Sequence, residues 1–273
     1  MAEADLRNSW AKFNEKADEY AQYRERYDAK AMLPPLREWC GLRPEWTVAD
    51  VGAGTGMLGD VFRANGNRVI AVEPNAAMRA VCAKLHAGDA LFEVVEGTAE
   101  ATGLGDASVE MVAVGRALHW FDVPLALAEF KRILKPGGWV AIVACGREEK
   151  GRAENEAYDK FLHAIPGTLE RVKAGYAVYR KMDEYFAGGE VHHQQATGEM
   201  VLGWEALRGL TLSYSHVPMP GAPGFDAFEN ALRDFFARFE KDGKVTLATR
   251  TWTSAGRFGD VSGEPADSAG AAN

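Results

Sequence analysis

Five short apolar runs, separated by segments of helical length, constrain this chain more than any other feature. Between Thr47 and Ala144 they read TVADV, RVIAV, FEVV, VEMVAV and WVAIVA, each β-branched or apolar almost throughout. A strand with one wet face alternates apolar and polar residues, whereas a strand buried on both faces does not. The runs therefore predict a parallel sheet covered by helices. The intervening segments, about Leu58–Ala64, Ala76–His86 and Pro124–Leu134, are long enough for the crossover helices such a sheet needs. Asp122 is placed to cap the third of them, because Pro124 is tolerated in a first helical turn. Leu134-Lys135-Pro136-Gly137-Gly138 then stops that helix and turns the chain into the next strand. The layout is α/β and doubly wound.

Flanking segments follow other patterns. Leu6 to Cys40 reads as helical, with Trp10, Phe13, Ala17, Tyr20, Tyr23 and Tyr27 forming an aromatic stripe. Pro34 and Pro35 kink or start a helix running to Cys40, which Gly41 can terminate. After Gly146 the alternation lapses. Ala153–Ile165 and Leu169–Phe186 read as helices, Val191–Met200 as a strand and Trp204–Leu210 as a short helix. Phe225–Lys241 is amphipathic, with Phe225, Phe228, Leu232, Phe235, Phe236 and Phe239 to one side, and Val245–Trp252 reads as a last strand. The expected division is N-terminal helices over 1–46, a sheet core over 47–145, a helical cap over 146–242, a closing strand over 243–253 and a disordered tail over 254–273.

Directly after the first apolar run stands Asp50-Val51-Gly52-Ala53-Gly54-Thr55-Gly56. Glycines between a strand and a helix let the backbone turn tightly and approach a ligand without Cβ interference. A dinucleotide fingerprint would want glycine or alanine at Met57, so the spacing departs from it. Asp50 would repel a pyrophosphate but can accept hydrogen bonds near a cationic ligand. The second run ends at Glu73-Pro74-Asn75, where a carboxylate can accept from both hydroxyls of a ribose. NAD-binding proteins share that feature, so Glu73 points to an adenosine and not to one cofactor. Beyond the third run lie Thr98, Ala99 and Glu100; for Thr98 and Glu100, helix capping is the competing explanation.

Together Asp50–Gly56, Glu73, Gly97–Glu100, Val112–Asp122 and Leu134–Gly138 resemble the class I S-adenosylmethionine (SAM)-dependent methyltransferases. Ala117-Leu118-His119-Trp120-Phe121-Asp122 and Tyr20-Ala21-Gln22-Tyr23-Arg24 are similar to the small-molecule branch that includes the trans-aconitate methyltransferase relatives, although Glu25 stands where that branch often has proline. The resemblance implies a Rossmann-like, mostly parallel, seven-stranded sheet, with N-terminal helices and a cap inserted before the last strands. It also implies cofactor roles. Asp50, Gly52, Ala53 and Gly54 would line the methionine portion, and Glu73 the ribose. Pro74, Asn75 and Met78 would run along the adenine, with Thr98, Ala99 and Glu100 at its edge. Gly115 and Arg116 would lie beside the sulfonium end, and Tyr20 and Arg24 would close over the cofactor, Arg24 toward its carboxylate. For Arg24 the alternative is a solvated charge.

Methyl transfer from a sulfonium needs alignment and exclusion of water, and a base only if the acceptor arrives protonated. His119 is the candidate base by position, with a structural or substrate-orienting role as the alternative. His192 and His193 are adjacent on a strand and point to opposite faces, and no Cys/His/Asp spacing suits a metal. The aromatic cap offers an acceptor pocket, with Ser213-Tyr214-Ser215 at its edge. With 31 basic against 39 acidic residues the net charge is -8, which argues against nucleic acid or anionic membrane as partner. No apolar run approaches the roughly 20 residues of a spanning helix, and MAEADLRNSW lacks the pattern of a signal peptide. Cys40, Cys82 and Cys145 read as buried, reduced thiols. The expectation is a cytoplasmic monomer or homodimer that methylates a carboxylate or hydroxyl oxygen of a small molecule, producing S-adenosylhomocysteine (SAH). The alternatives are a SAM- or SAH-binding protein without transfer activity and an NAD-linked oxidoreductase.

Overall fold

The computed structural model describes residues 17–165, 177–214 and 217–259. In chain order its elements begin with α1 (Ala17–Tyr23), α2 (Ala29–Cys40), β1 (Thr47–Val51), α3 (Met57–Ala64), β2 (Arg68–Val72) and α4 (Ala76–Leu85). There follow β3 (Phe92–Val95), β4 (Val109–Gly115), a 3-10 turn at Leu118–Trp120, α5 (Val123–Ile133) and β5 (Leu134–Arg147). The cap comprises α6 (Ala153–His163), a 3-10 turn at Ala177–Lys181, α7 (Met182–Tyr185), β6 (Glu190–Leu202), α8 (Trp204–Leu212) and α9 (Phe225–Phe239), and β7 (Val245–Arg257) closes the sheet.

Among the described residues the sheet has seven strands in the order β3-β2-β1-β4-β5-β7-β6. β1 to β5 are mutually parallel, and β7 runs antiparallel to both its neighbours. The expected doubly wound, mostly parallel sheet is present. Side chains along each strand divide between two cores, as the period of two requires. Val48, Val69, Met111, Ala113, Ala141 and Val143 pack under α2, α3 and α4. Ala49, Val51, Val72, Val112, Val114, Val140 and Ile142 pack against α5 and α7. A third core binds the cap together, from Tyr158 and Leu162 of α6 through Leu207 and Leu210 of α8 to Leu232 and Phe235 of α9.

The N-terminal helical run is broken. α1 ends at Tyr23, residues 24–28 form an irregular strap, and Asp28 caps α2 through a bond from Lys30 N at 2.9 Å. Pro34 and Pro35 neither start nor break α2; they lie inside it. Met32, Leu36 and Leu33 bury the apolar face of that helix against the sheet, and this packing offsets the missing backbone donors. Trp10 and Phe13 lie outside the described residues. α5 passes directly into β5 at Leu134, and Lys135–Gly138 forms a register shift within the strand instead of a separate loop. Of the helix expected over Leu169–Phe186, residues 169–176 lie outside the described set, and the rest is a 3-10 turn and one short helix.

The first residues of the expected tail belong to the sheet instead. Ser254–Arg257 continue β7, paired to β5 on one side and to Glu190–His193 on the other. Their small size is itself the reason: a Cβ on Gly256 would lie 2.3 Å from the Phe186 ring, and Ala255 is fully buried. Residues 260–273 lie outside the described set. Among the described residues no helix is long and apolar enough to cross a membrane.

Candidate active site

The loop after β1 and the tip of β2 brace one another at the sheet's C-terminal edge. Gly52 N and Ala53 N donate to Val72 O at 2.9 and 3.2 Å. Gly52 and Gly54 have φ of +70° and +58°, in the left-handed region that disfavours a Cβ. At Gly52 a Cβ would also meet the Ala117 methyl at 2.7 Å, so the turn is packed from behind. At Gly54 nothing lies within 4 Å. The loop thus presents an open face at Gly54 and a closed one at Gly52. Met57, where a dinucleotide site would want glycine, is a buried core side chain at the start of α3.

Two carboxylates line this edge. Glu73, 7% exposed, accepts from Gly54 N through Oε2 and from Asn75 N through Oε1, both at 2.8 Å. Burial raises its pKa, opposed by those two amides. Each oxygen keeps lone-pair capacity for a hydroxyl donor. Asp50, 1% exposed in the middle of the sheet, accepts from Gly59 N at 2.9 Å through Oδ2 and so caps α3. Its Oδ1 is buried without a hydrogen-bond partner. Desolvation pushes its pKa up to about 7.

The predicted adenine side is tied down locally. Asn75 caps α4 by accepting from Met78 N at 3.0 Å, and Met78 is buried. The carbonyl of Pro74 accepts from Arg79 at 2.9 Å. Thr98 Oγ1 accepts from Ala101 N at 3.1 Å, which is the capping geometry, although it caps a turn and not a helix. Ala99 is buried in the second core. Glu100 reaches across to accept from Asp122 N at 2.8 Å, so it holds the entry of α5.

Over the ends of β4 and β5 the strap closes a polar cluster. Gly115 admits the Tyr27 hydroxyl, which would lie 2.4 Å from any Cβ there. Arg116 adopts φ +54°, an unusual conformation for a residue with a side chain, and this aims its guanidinium into the strap. It donates to the Glu25 carboxylate at 3.2 Å, to Glu25 O at 3.0 Å and to Tyr27 Oη at 3.2 Å. Arg24 pairs with the same carboxylate at 3.1 Å and stacks on the rings of Tyr20 and Tyr214. Tyr214 Oη donates to Glu25 at 2.7 Å. Arg24 is therefore half-buried and paired, not a solvated charge.

His119 sits in the 3-10 turn after β4, with Nδ1 3.4 Å from Tyr179 Oη and its ring against Trp120. Enclosure of the ring and, behind it, the Arg24 guanidinium disfavour the imidazolium and lower its pKa to about 4. The outer part of the residue is open to solvent, and water moderates that fall. Phe121 packs edge-on to Phe130 beneath the glycine loop.

The cap aromatics mostly pack on one another: Tyr158, Phe161, Phe228 and Phe235 form ring contacts within the third core. Ser215 and His216 lie outside the described residues. His86 bonds Cys82 O and Asp60 at 2.8 Å and stacks on Phe92. His192 stacks on Trp39 while His193 bonds Ser254, so they face opposite ways. The three cysteines are free and buried. Among the described residues no cluster suits a metal.

Sequence reading missed Glu25, Tyr27, Arg147 and Asp159 as members of this region. Arg147, at the end of β5, pairs with Asp159 of α6 at 2.8 Å and lies over the Tyr158 and Tyr214 rings. The available signal was Arg24-Glu25-Arg26-Tyr27, which looks like a solvated charge run until it is folded over β4.

Comparison with known proteins relates the sheet core to methyltransferases. Residues 49–142 match a family described as a methyltransferase domain. Over 117 residues the chain is 37% identical to an uncharacterised methyltransferase of Mycobacterium tuberculosis, covering 43% of this chain and 47% of that one. Over 106 residues it is 36% identical to a malonyl-[acyl-carrier protein] O-methyltransferase of Erwinia billingiae, covering 38% of this chain and 41% of that one. The chain thus spans about half the length of the curated relatives it matches. A solved structure of a protein from Anaeromyxobacter dehalogenans, assigned as a type II methyltransferase, superposes with a TM-score of 0.63 at 24% identity. That superposition covers 86% of this chain and 98% of the other, and it shows the fold alone.

Proposed function

We propose that this chain, whose residues 49–142 match a methyltransferase-domain family, is a class I SAM-dependent methyltransferase that transfers a methyl group to a carboxylate or hydroxyl oxygen of a small organic acceptor. The observation carrying this reading is the glycine loop held between Asp50 and Glu73. A buried Oδ1 without a partner, a glycine opening at Gly54 and a strand-tip carboxylate with spare lone pairs fit the ammonium, the backbone approach and the ribose of SAM. Gly115, Arg116, Tyr20 and Arg24 would cover the sulfonium end. Pro74, Asn75, Met78, Thr98, Ala99 and Glu100 would frame the adenine through backbone and apolar surface, since the side chains of Asn75, Thr98 and Glu100 already hold local bonds.

When bound, SAM supplies a methyl group already activated by positive sulfur. The work left to the chain is alignment and exclusion of water. The strap and the cap supply the enclosure. A carboxylate acceptor needs no base, and its charge is neutralised against the sulfonium as the bond forms, which a dry site favours. His119, neutral at physiological pH, then orients the acceptor and does not deprotonate it. The three free thiols accord with a reducing, cytoplasmic setting, and the surplus of acidic residues with a small-molecule acceptor.

Calorimetric titration with SAM and SAH tests the first half; absence of binding would refute the reading. Incubation with methyl-labelled SAM and a metabolite extract tests the second. Binding without label transfer would instead establish the inactive binder, and tight NAD binding the oxidoreductase.

A further inference from the structure

The strap buries a carboxylate for which the methyl-transfer chemistry has no use. Glu25 is 7% exposed, yet two guanidiniums and a hydroxyl converge on it: Arg24 in an ion pair at 3.1 Å, Arg116 donating at 3.2 Å and Tyr214 Oη donating at 2.7 Å. The donors come from three separate elements, namely the strap itself, the end of β4 and the segment after α8. Arg116 holds a left-handed backbone to contribute. A third guanidinium, Arg147, lies over the same Tyr214 ring, and its buried Nε has no hydrogen-bond partner. Three guanidiniums thus meet two carboxylates, Glu25 and Asp159. The cluster is built for a carboxylate and keeps cationic surplus when Glu25 fills it.

We infer that the cage of Arg24, Arg116 and Tyr214 is the recognition site for a carboxylate group of the methyl acceptor, and that Glu25 is its internal stand-in. This rests on the methyltransferase reading above. Position favours the acceptor over the donor as the source of that carboxylate. The glycine loop and Glu73 belong to β1 and β2, whereas Arg24 and Arg116 border the sulfonium end, where donor and acceptor meet. The cage lies over β4 and β5 and is walled by the cap, through Tyr214 and the Arg147–Asp159 pair. The energetics make the exchange selective. Withdrawing Glu25 alone would strand two largely enclosed guanidiniums without a counter-charge, which is unfavourable. An incoming carboxylate restores the pairing, and a neutral analogue does not. Acceptors with an anchoring carboxylate therefore open the strap, while their amides leave it shut.

Glu25→Ala converts the stand-in into a carboxylate-sized hole. Thermal melts of that variant, with and without SAH, are followed in sodium formate and in sodium chloride of equal ionic strength. Formate should raise the melting temperature of the variant above the chloride control and leave the wild type unmoved. Equal response to both salts overturns the proposal. If Glu25→Ala does not fold, Glu25→Gln carries the same test through binding of succinate to the SAH-loaded protein. Succinate should bind the variant at least about tenfold tighter than succinamide, the value of one charge-assisted hydrogen bond, and adding Tyr214→Phe should narrow that margin. Equal binding of acid and amide overturns it.

Titrating Glu25→Gln with SAH and with 5′-methylthioadenosine, which lacks the amino-acid carboxylate, identifies the source. An unchanged ratio of the two affinities supports the acceptor. A gain confined to SAH places the donor's carboxylate in the cage and overturns the assignment. Failure of the methyltransferase reading is seen separately, as wild-type protein that does not bind SAH, because the formate melts without SAH report on the cage alone.

Discussion

The carboxylate of Glu73 accepts a hydrogen bond from the backbone N–H of Gly54 at 2.8 Å, tying the tip of β2 to the turn that leaves β1. The same side chain therefore shapes the glycine loop and, in the proposed reading, would accept from a ribose. Glu73→Ala removes both functions and should weaken SAH binding by about 2–4 kcal/mol. Calorimetric titration reads this directly; wild-type affinity in the variant would place the ribose elsewhere.

Asp50 makes binding pH-dependent. Its pKa in the folded protein is raised to about 7, so between the ordinary carboxylate range and neutrality the folded state holds a proton that the unfolded state has released. Stability contributed by this group is present at low pH and is lost as pH rises through about 7. A cationic ligand beside Oδ1 favours the ionised form. SAM binding near pH 6.5 should therefore release a proton and strengthen as pH rises. Titrations in buffers of different ionisation enthalpy measure that proton, and Asp50→Asn should abolish it while keeping the cap on Gly59 N.

Gly52 and Gly54 should respond differently to alanine. At Gly52 the new methyl meets Ala117 and Phe121 on top of an unfavourable φ, so Gly52→Ala should lower stability by about 2–4 kcal/mol. At Gly54 only the backbone term applies, about 1–2 kcal/mol, and the methyl points into open space. Gly54→Ala should therefore lose SAH affinity out of proportion to its melting temperature. Parallel melts and titrations separate the two effects.

His119→Gln should leave the shape of the pH–rate profile between pH 6 and 8 unchanged, because the imidazole is already neutral across that range. A rising limb that disappears in the variant would restore the histidine as general base.

Much of the fold was legible because it rests on periodicity. The apolar runs at Val48–Val51 and Val140–Val143 could only be strands buried on both faces, and they are. The polar tip Glu73 and the glycine loop were legible as well, since a carboxylate and positive-φ glycines at strand ends have few other uses. Less could be read of the side-chain commitments around them. Thr98, Glu100 and Asn75 spend their polar groups on local caps and braces, and residue type does not reveal which neighbour a side chain will reach. Ser254–Gly256 read as tail because their small size, a sign of disorder in isolation, is what a strand crossed by Phe186 requires.

The chain's own order of residues thus determined the sheet, its two-faced burial and the glycine turn and carboxylate at its C-terminal edge, because those follow from local pattern and from where strands end. Only the tertiary structure decided the meaning of Arg24-Glu25-Arg26-Tyr27. In the sequence it is a charge run. Folded over β4 it puts Glu25 between two guanidiniums and the Tyr214 hydroxyl, 189 residues away. A charge takes its role from the partners that surround it once water is removed, and those partners are assembled by the fold.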